Sequence, residues 1–531
     1  MAANIQANQE TWSGKAAFVF AAVGSAVGLG NLWRLPYQAG ENGGGAFVLV
    51  YILCVLAIGL PVLAAELFLG RRGGGSAIAA IKRLAQAEGA SGAWSAFAWI
   101  GMIASFLIVT FYSVIAGWVL YFAYLMIADL VAGLGAHGMA ALTGGAFHEV
   151  ERGVIEGQLG DLLASPGKMI AFHAVFMGLT VWIVSRGISG GIEKAVTILM
   201  PTFFILLVAL SVFAMIQGDA AAAIKFLFTP DLDALWLQIT GGTDANGDYV
   251  VGGSILLSAI GQAFFSIGLG SVLMVTYGLY IARDQSIPQS SMIVAGADTG
   301  VALIAGLAIF PIVFQFGLTP GAGPGLMFGT LPLGFSQMPF GSLFGIAFFL
   351  MAFFAALTSS ISLLEVAAAW ADGDIDLPPE ERKQKRVRGA IMLGGIAFVI
   401  GIFHALSQVP DSRGDFFFNS WVIADGVPLF QGDTLLDFTD KLTGSILLPF
   451  GGLMTAIFAG WIVSKSASRE ELGFATEAGY GRWLFLIRWI CPLFIGLVLV
   501  WGSIVAPLLS LRAAENPPQS EAADVIDEMV Q

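Results

Sequence analysis

Charge is what this chain has least of. Only 11% of its 531 residues are charged, against roughly a quarter in an ordinary soluble domain, which excludes a water-exposed globule. Cysteine is nearly absent: Cys54 and Cys491 both fall inside apolar stretches, read as small buried hydrophobes, and imply no disulfide framework. Four histidines, at 137, 148, 173 and 404, are too scattered to form a metal-ligand cluster, which leaves each a structural or solvated role. Lys and Arg number 24 against 37 Asp and Glu, a net charge of −13, so no nucleic-acid partner is expected. No motif joins a nucleophile, a base and an orienting group, and an enzyme is not expected either. The first apolar stretch also lacks a short core with a small-residue cleavage site, so no removable signal peptide is expected.

What the chain has is hydrophobicity, at 57% of residues. A membrane span needs about 20 apolar residues. Eleven stretches qualify, near 14–37, 44–70, 94–128, 168–186, 195–216, 253–282, 290–316, 342–371, 389–406, 443–464 and 483–509. The fold class is therefore an all-α polytopic membrane protein. Cytoplasmic loops retain Lys and Arg, and alternate loops here carry Arg71, Arg72, Lys82 and Arg83, then Arg186 and Lys194, then Arg283, then the run 382–388, then Lys465, Arg469 and Arg482. This places the N-terminus in the cytoplasm and the acidic loop 408–442 outside, and reads the basic run as a topology signal. Eleven spans then put the C-terminus outside.

Two of the stretches are interrupted by the same tripeptide, Gly28-Leu29-Gly30 in span 1 and Gly268-Leu269-Gly270 in span 6. Breaks at corresponding places in two halves point to a transporter's binding site. Five spans per unit is an odd number, so the second unit enters from the opposite side and the repeat is inverted. The chain then divides into a cytoplasmic tail (1–13), a first five-helix repeat (14–216), an extracellular loop (217–252), a second repeat (253–464), an eleventh helix (483–509) and an acidic tail (510–531). Residues 317–341, rich in Gly and Pro, form either a folded lid or a connector; 130–167 shows no chemical motif.

In hydrocarbon an unpaired backbone group costs several kcal/mol, so a broken helix persists only where protein, water or ligand satisfies it. Freed amides at Leu29 and Gly30 suit a carboxylate, and carbonyls of Gly24, Ala26 and Val27 suit a small cation. Gly24 and Gly28 also make a small-xxx-small pair, for which close helix packing is the alternative reading. Arg34, Glu66, Asp298 and Glu365 lie within spans, where a charge is costly and marks function or an internal partner. Arg34 with Asp440, just before span 10, would make a gate over bound solute.

The stretch Gly24-Ser-Ala-Val-Gly-Leu-Gly-Asn31-Leu-Trp-Arg34-Leu-Pro36, continued by Glu41-Asn-Gly-Gly-Gly-Ala-Phe47, resembles the signature of the neurotransmitter:sodium symporter family, whose archetype is the bacterial leucine transporter. The likeness returns at Gly261–Gly270 and Leu357–Ile361. It implies the leucine-transporter fold, a 5+5 inverted repeat with discontinuous helices 1 and 6. It implies two Na⁺ sites: the first from Ala26, Asn31, Ser266 and Asp298 with the substrate carboxylate, the second from Gly24, Val27, Ala355, Thr358 and Ser359. Hard oxygen donors suit such an ion. By the same resemblance, substrate meets Ala26, Leu29, Gly30, Ile108, Tyr112, Phe265, Ser266, Gly268, Ser271, Ser359 and Leu363, with Arg34, Asp440, Tyr112 and Phe265 as the outer gate.

Departures from the family pattern refine this. Gly28 stands where amine carriers have aspartate, which favours an amino acid. Gly268 and Ser271 replace bulkier residues, which favours a larger hydrophobic or aromatic side chain, although glycine at 268 also resembles carriers of 4-aminobutyrate. Relatives that need chloride use positions matching Tyr51, Gln262, Ser266 and a serine in span 7; that serine is Ala302 here, and Asp298 supplies a fixed negative charge, so no chloride requirement is expected. The tail residue expected to be basic is Gln9, its acid partner is Asp372 or Asp374, and Lys15 is a candidate substitute. Trp12 matches the family's packing tryptophan. Gly191 with Pro201 would loosen span 5. The resulting expectation is Na⁺-coupled amino-acid symport in a bacterial inner membrane, by a monomer or weak homodimer. A Na⁺-coupled 4-aminobutyrate carrier, a proton-coupled carrier and an amino-acid sensor are the alternatives.

Overall fold

The computed structural model describes residues 11–147, 150–243, 249–250, 252–318, 325–371, 378–410, 427–430 and 433–508. Among these, nine helices are long and apolar enough to cross a bilayer, and the bent pair Lys15–Ala26 and Gly30–Glu41, at 50°, makes a tenth crossing as span 1. The eleventh stretch, span 6, is split into Ser254–Ile267 and Leu273–Gly278, each short of a full crossing. Spans 2 to 5 cover Gly45–Gly73, Gly92–His137, Pro166–Val184 and Ile188–Gln217; spans 7 to 11 cover Ile287–Gln315, Gly341–Ala371, Glu380–Leu406, Leu435–Ile462 and Glu477–Leu508.

Several spans outrun their apolar stretches. Span 3 continues to His137, and span 10 starts at Leu435, before the apolar stretch begins. Once a helix is nucleated, each further residue adds a hydrogen bond at little cost, so helices extend past the hydrocarbon. The connections are also more ordered than their composition suggests. The segment 130–167 holds the helix Arg152–Leu163, and 217–252 holds Ala220–Phe228 and Leu232–Thr240, whose first turns are capped by Asp219 and Asp231. Residues Leu326–Gln337 are helical and bury Phe328 and Phe335 against Phe349. Gln9, His148, the loop residues 319–324, Asp372, Asp374, Asp411, Asp415, Asp425 and the tail 510–531 lie outside the described residues.

Lipid supplies no hydrophobic force between helices, so close packing and polar contacts must hold them together. Among the nine unbroken spans, 3 and 8 are the most enclosed, with 78% and 72% of their apolar lengths buried, against 33% for span 5 and 28% for span 11. They also share the most extensive helix-to-helix contact. Span 2 meets the second half of span 6 backbone to backbone, where a Cβ on Gly70 or Gly278 would overlap the main chain of Val275 or Leu67. Span 6 therefore packs against span 2, and the first helix of span 1 packs against spans 5, 7 and 8, where their exposed backbone is kept from lipid.

Candidate functional site

Each break is a backbone event with a polar partner. In span 1 the helix ends at an extended Val27 (φ −76°, ψ 104°) and resumes at Gly30. The freed Leu29 amide donates to the Tyr112 hydroxyl at 3.2 Å, and the Gly28 amide donates to Asn31 Oδ1 at 3.0 Å. Tyr112 accepts in this bond, so its own proton remains to donate to a carboxylate. In span 6, Gly268 (φ +74°) and Gly270 (φ +80°) take the left-handed backbone that glycine adopts without steric cost. The buried Glu66 accepts from the Gly270 amide at 2.7 Å. The requirement that this carboxylate face inward is thereby met, with the unwound chain as its partner.

The residues expected at the first cation site converge. Asn31 Nδ2 donates to Asp298 Oδ1 at 2.8 Å, to the Asp298 carbonyl at 3.1 Å and to Ser266 Oγ at 3.0 Å. Ser266 donates to Asp298 Oδ1 at 2.7 Å, and Tyr51 to Asp298 Oδ2 at 3.3 Å. Gln262 donates to the Gly30 carbonyl at 3.0 Å. Asp298 is fully buried, yet no Lys or Arg lies within 4.0 Å of it among the described residues. A buried carboxylate with donors but no counter-ion is costly, and a small cation would relieve that cost.

At the second expected site, span 8 lies against span 1. Ser359 Oγ donates towards the Ser25 and Val27 carbonyls at 3.2 and 3.4 Å, and Thr358 Oγ1 donates to the Ala355 carbonyl at 3.0 Å. A Cβ on Gly24 would touch Thr358. Gly24, Val27, Ala355, Thr358 and Ser359 are thus gathered around one short stretch of the break.

A cavity of about 470 Å³ of empty volume, its open mouth included, lies between the breaks and is lined by Ala26, Gly30, Ile108, Tyr112, Phe265, Ser266, Gly268, Ser271, Ser359 and Leu363. Of the expected substrate residues, Leu29 reaches it only through its amide bond to Tyr112. The lining also includes Ser25, Gly28, Leu273 and Leu448, which were not among the expected contacts. Ser25 and Gly28 belong to the first motif and Leu273 follows the second break, so signals existed for those three; Leu448 is one leucine in an apolar run. A Cβ at Gly28 would come within 2.6 Å of Ser359 Oγ and 3.1 Å of the Tyr112 hydroxyl, so even an alanine there would disturb both.

Above the cavity the Arg34 guanidinium sits 4.5 Å from the Phe265 ring centre. The expected Arg34–Asp440 ion pair is not made within 4.0 Å; Arg34 is instead held by the ring's negative face. At the opposite end Trp12 packs on Tyr277 and Tyr280 and donates its amide to the Tyr280 carbonyl. Ser13 is fastened to the Glu193 carboxylate, and Lys15 donates to Gln289 at 3.0 Å rather than to an acid. The intramembrane Glu365 has an internal partner from the basic run: Arg386 is buried and paired with it at 2.6 Å, and Glu365 also accepts from Tyr280 at 3.0 Å.

Two discontinuous helices, meeting at a largely apolar cavity among the nine or ten apolar spans of the described residues, define a membrane transporter of the leucine-transporter fold. Residues 9–132 and 150–410 match the model of the sodium:neurotransmitter symporter family, and the chain belongs to that family. It is 36% identical over 491 residues to an uncharacterized sodium-dependent transporter, YhdH, of Bacillus subtilis, covering 92% of this chain and 96% of that one. An uncharacterized sodium-dependent transporter of Haemophilus influenzae is 29% identical, covering 93% and 98%. Among solved structures, MhsT in complex with L-phenylalanine matches with a TM-score of 0.76 and 36% identity, covering 93% of this chain and 99% of that one.

Proposed function

We propose that this protein is a Na⁺-coupled symporter of a hydrophobic or aromatic L-amino acid, working by alternating access in a bacterial plasma membrane without a chloride requirement. The observation that carries this reading is Asp298: a buried carboxylate lacking a basic partner, hydrogen-bonded to Asn31 and Ser266 beside the cavity between the breaks. One Na⁺ belongs with Asp298, Asn31, Ser266 and the Ala26 carbonyl; the other belongs with Gly24, Val27, Ala355, Thr358 and Ser359. A fixed carboxylate at the first site supplies the negative charge that chloride supplies in some relatives, and Ala302 offers no hydroxyl for an anion. The substrate carboxylate would bond Tyr112 and the amides of span 1, and its side chain would enter the pocket walled by Ile108, Phe265, Leu273, Leu363 and Leu448.

With the N-terminus cytoplasmic, two Na⁺ moving with a zwitterion carry two charges inward. At about 2.3 kcal/mol per charge per 100 mV, this contributes roughly 4.6 kcal/mol before the sodium gradient is added. The test is a scintillation-proximity competition screen of the twenty amino acids and 4-aminobutyrate, with Na⁺ and with choline at fixed pH, followed by counterflow in proteoliposomes. Na⁺-dependent displacement by apolar amino acids, exchange in counterflow, and uptake that persists in gluconate buffer are expected. Binding without exchange would indicate a sensor, and uptake undiminished in choline would indicate proton coupling.

A further inference from the structure

Spans 4 and 9 leave a groove on the outer, lipid-facing wall, far from the broken helices. It is lined by Met177, Gly178, Val181, Trp182, Gly394 and Phe398 among others, and Gly395 forms part of its floor. Gly178 and Gly395 have nothing within 4 Å of a notional Cβ, so the absence of side chains there makes the groove deep. Trp182 is 53% exposed along its edge.

The register of the two helices is set by contacts at two levels. Gly394 lies against Val181, and His173 stacks on Phe398 while its Nε2 meets the Phe398 carbonyl at 3.2 Å. The helices are therefore antiparallel. Arg186, in the turn that follows the end of span 4 at Val184, and Arg388, six residues back from Gly394, therefore lie towards the same mouth of the groove. Arg388 precedes Ile391, Gly395 and Phe398 at helical spacing, so it belongs to the face that lines the groove. The Arg186 guanidinium stacks 4.0 Å from the centre of the Trp182 ring. Neither arginine has a carboxylate within 4.0 Å among the described residues: Glu381 is taken by Lys385 at 3.3 Å and Glu365 by Arg386.

We infer that this groove binds an anionic glycerophospholipid, with an acyl chain over Gly178 and Gly395 and the phosphate between Arg186 and Arg388. Two cations at one end of an apolar slot match the shape and charge of such a lipid. Basic pockets between transmembrane helices hold anionic headgroups in this way, and the planar guanidinium pairs with phosphate oxygens through two parallel donors. A zwitterionic lipid could fill the slot but carries its own ammonium to the same mouth, where the arginines repel it.

The test is native mass spectrometry of the purified full chain with dioleoylphosphatidylglycerol or dioleoylphosphatidylcholine added to the detergent. The wild type should retain the phosphatidylglycerol at least tenfold better. Arg186→Gln with Arg388→Gln should abolish that preference, and Gly395→Leu, which fills the open groove, should reduce retention of both lipids. Na⁺-dependent amino-acid binding by the same samples serves as the control for folding. Equal retention of the two lipids by the wild type, or a preference unchanged in the double variant, overturns the inference. It is also overturned if Gly395→Leu dissociates a dimer without altering lipid retention, because the groove would then receive a second copy of the chain.

Discussion

Asn31 and Asp298 are joined by a 2.8 Å hydrogen bond that ties the break in span 1 to the middle of span 7. The two residues are 267 positions apart, and both are fully buried. Ser266 of span 6 bonds to both, so three spans meet at one carboxylate.

If Asp298 is the resident negative charge of the first Na⁺ site, Asp298→Asn keeps the shape and removes the charge. The Na⁺ concentration for half-maximal amino-acid binding should rise about tenfold or more, in line with the greater strength of charge-assisted contacts. Adding Ala302→Ser to Asp298→Asn should restore part of the affinity in chloride but not in gluconate. A Na⁺ titration that does not move in Asp298→Asn would assign the carboxylate to packing alone.

Tyr112→Phe removes the partner of the Leu29 amide and the proposed donor to the substrate carboxylate. A hydrogen bond to a charged group contributes about 1.5–3 kcal/mol, so amino-acid affinity should fall roughly 10- to 100-fold. Competition binding at saturating Na⁺ measures this directly, and unaltered affinity would remove Tyr112 from the site.

The Glu365–Arg386 pair should behave as a buried ion pair. Removing one partner, as in Arg386→Gln, leaves the other charge buried and should cost about 3–5 kcal/mol. Thermal unfolding in detergent should show a large drop for either single variant and a smaller one for Glu365→Gln with Arg386→Met. Equal drops in the single and double variants would mean that the two charges do not depend on each other.

Leu448 brings span 10 into the wall of the cavity. Shortening it with Leu448→Ala should favour tryptophan over leucine as competitor by about tenfold, the scale on which apolar pockets discriminate by size. Leu448→Phe should shift the preference the other way and spare alanine. The ratio of inhibition constants is the readout, because a general loss of folding would lower all of them together.

The sequence shows the spans, the two breaks and most of the cavity lining, because each is a local signal: an apolar run, a glycine pair, an ionisable residue where none is tolerated. Arg386 is hidden because a basic residue beside a span looks the same whether it faces water or turns inward to Glu365. The helix Arg152–Leu163 is equally hard to see, since Gly153, Gly157 and Gly160 within it argue against a helix on propensity alone. The open Arg34–Asp440 pair could not be read from sequence at all: whether a gate is closed is a property of the conformation, and both states share one sequence.

Arg34 lying on the far side of Phe265 has a kinetic meaning. A solute arriving from that side would meet the guanidinium of Arg34, with Asp440 near it, before it meets the aromatic ring, a pair of opposite charges that would orient a zwitterion end to end. Orientation of the solute would then begin in the approach, ahead of any contact with the pocket, and would weaken as salt is raised.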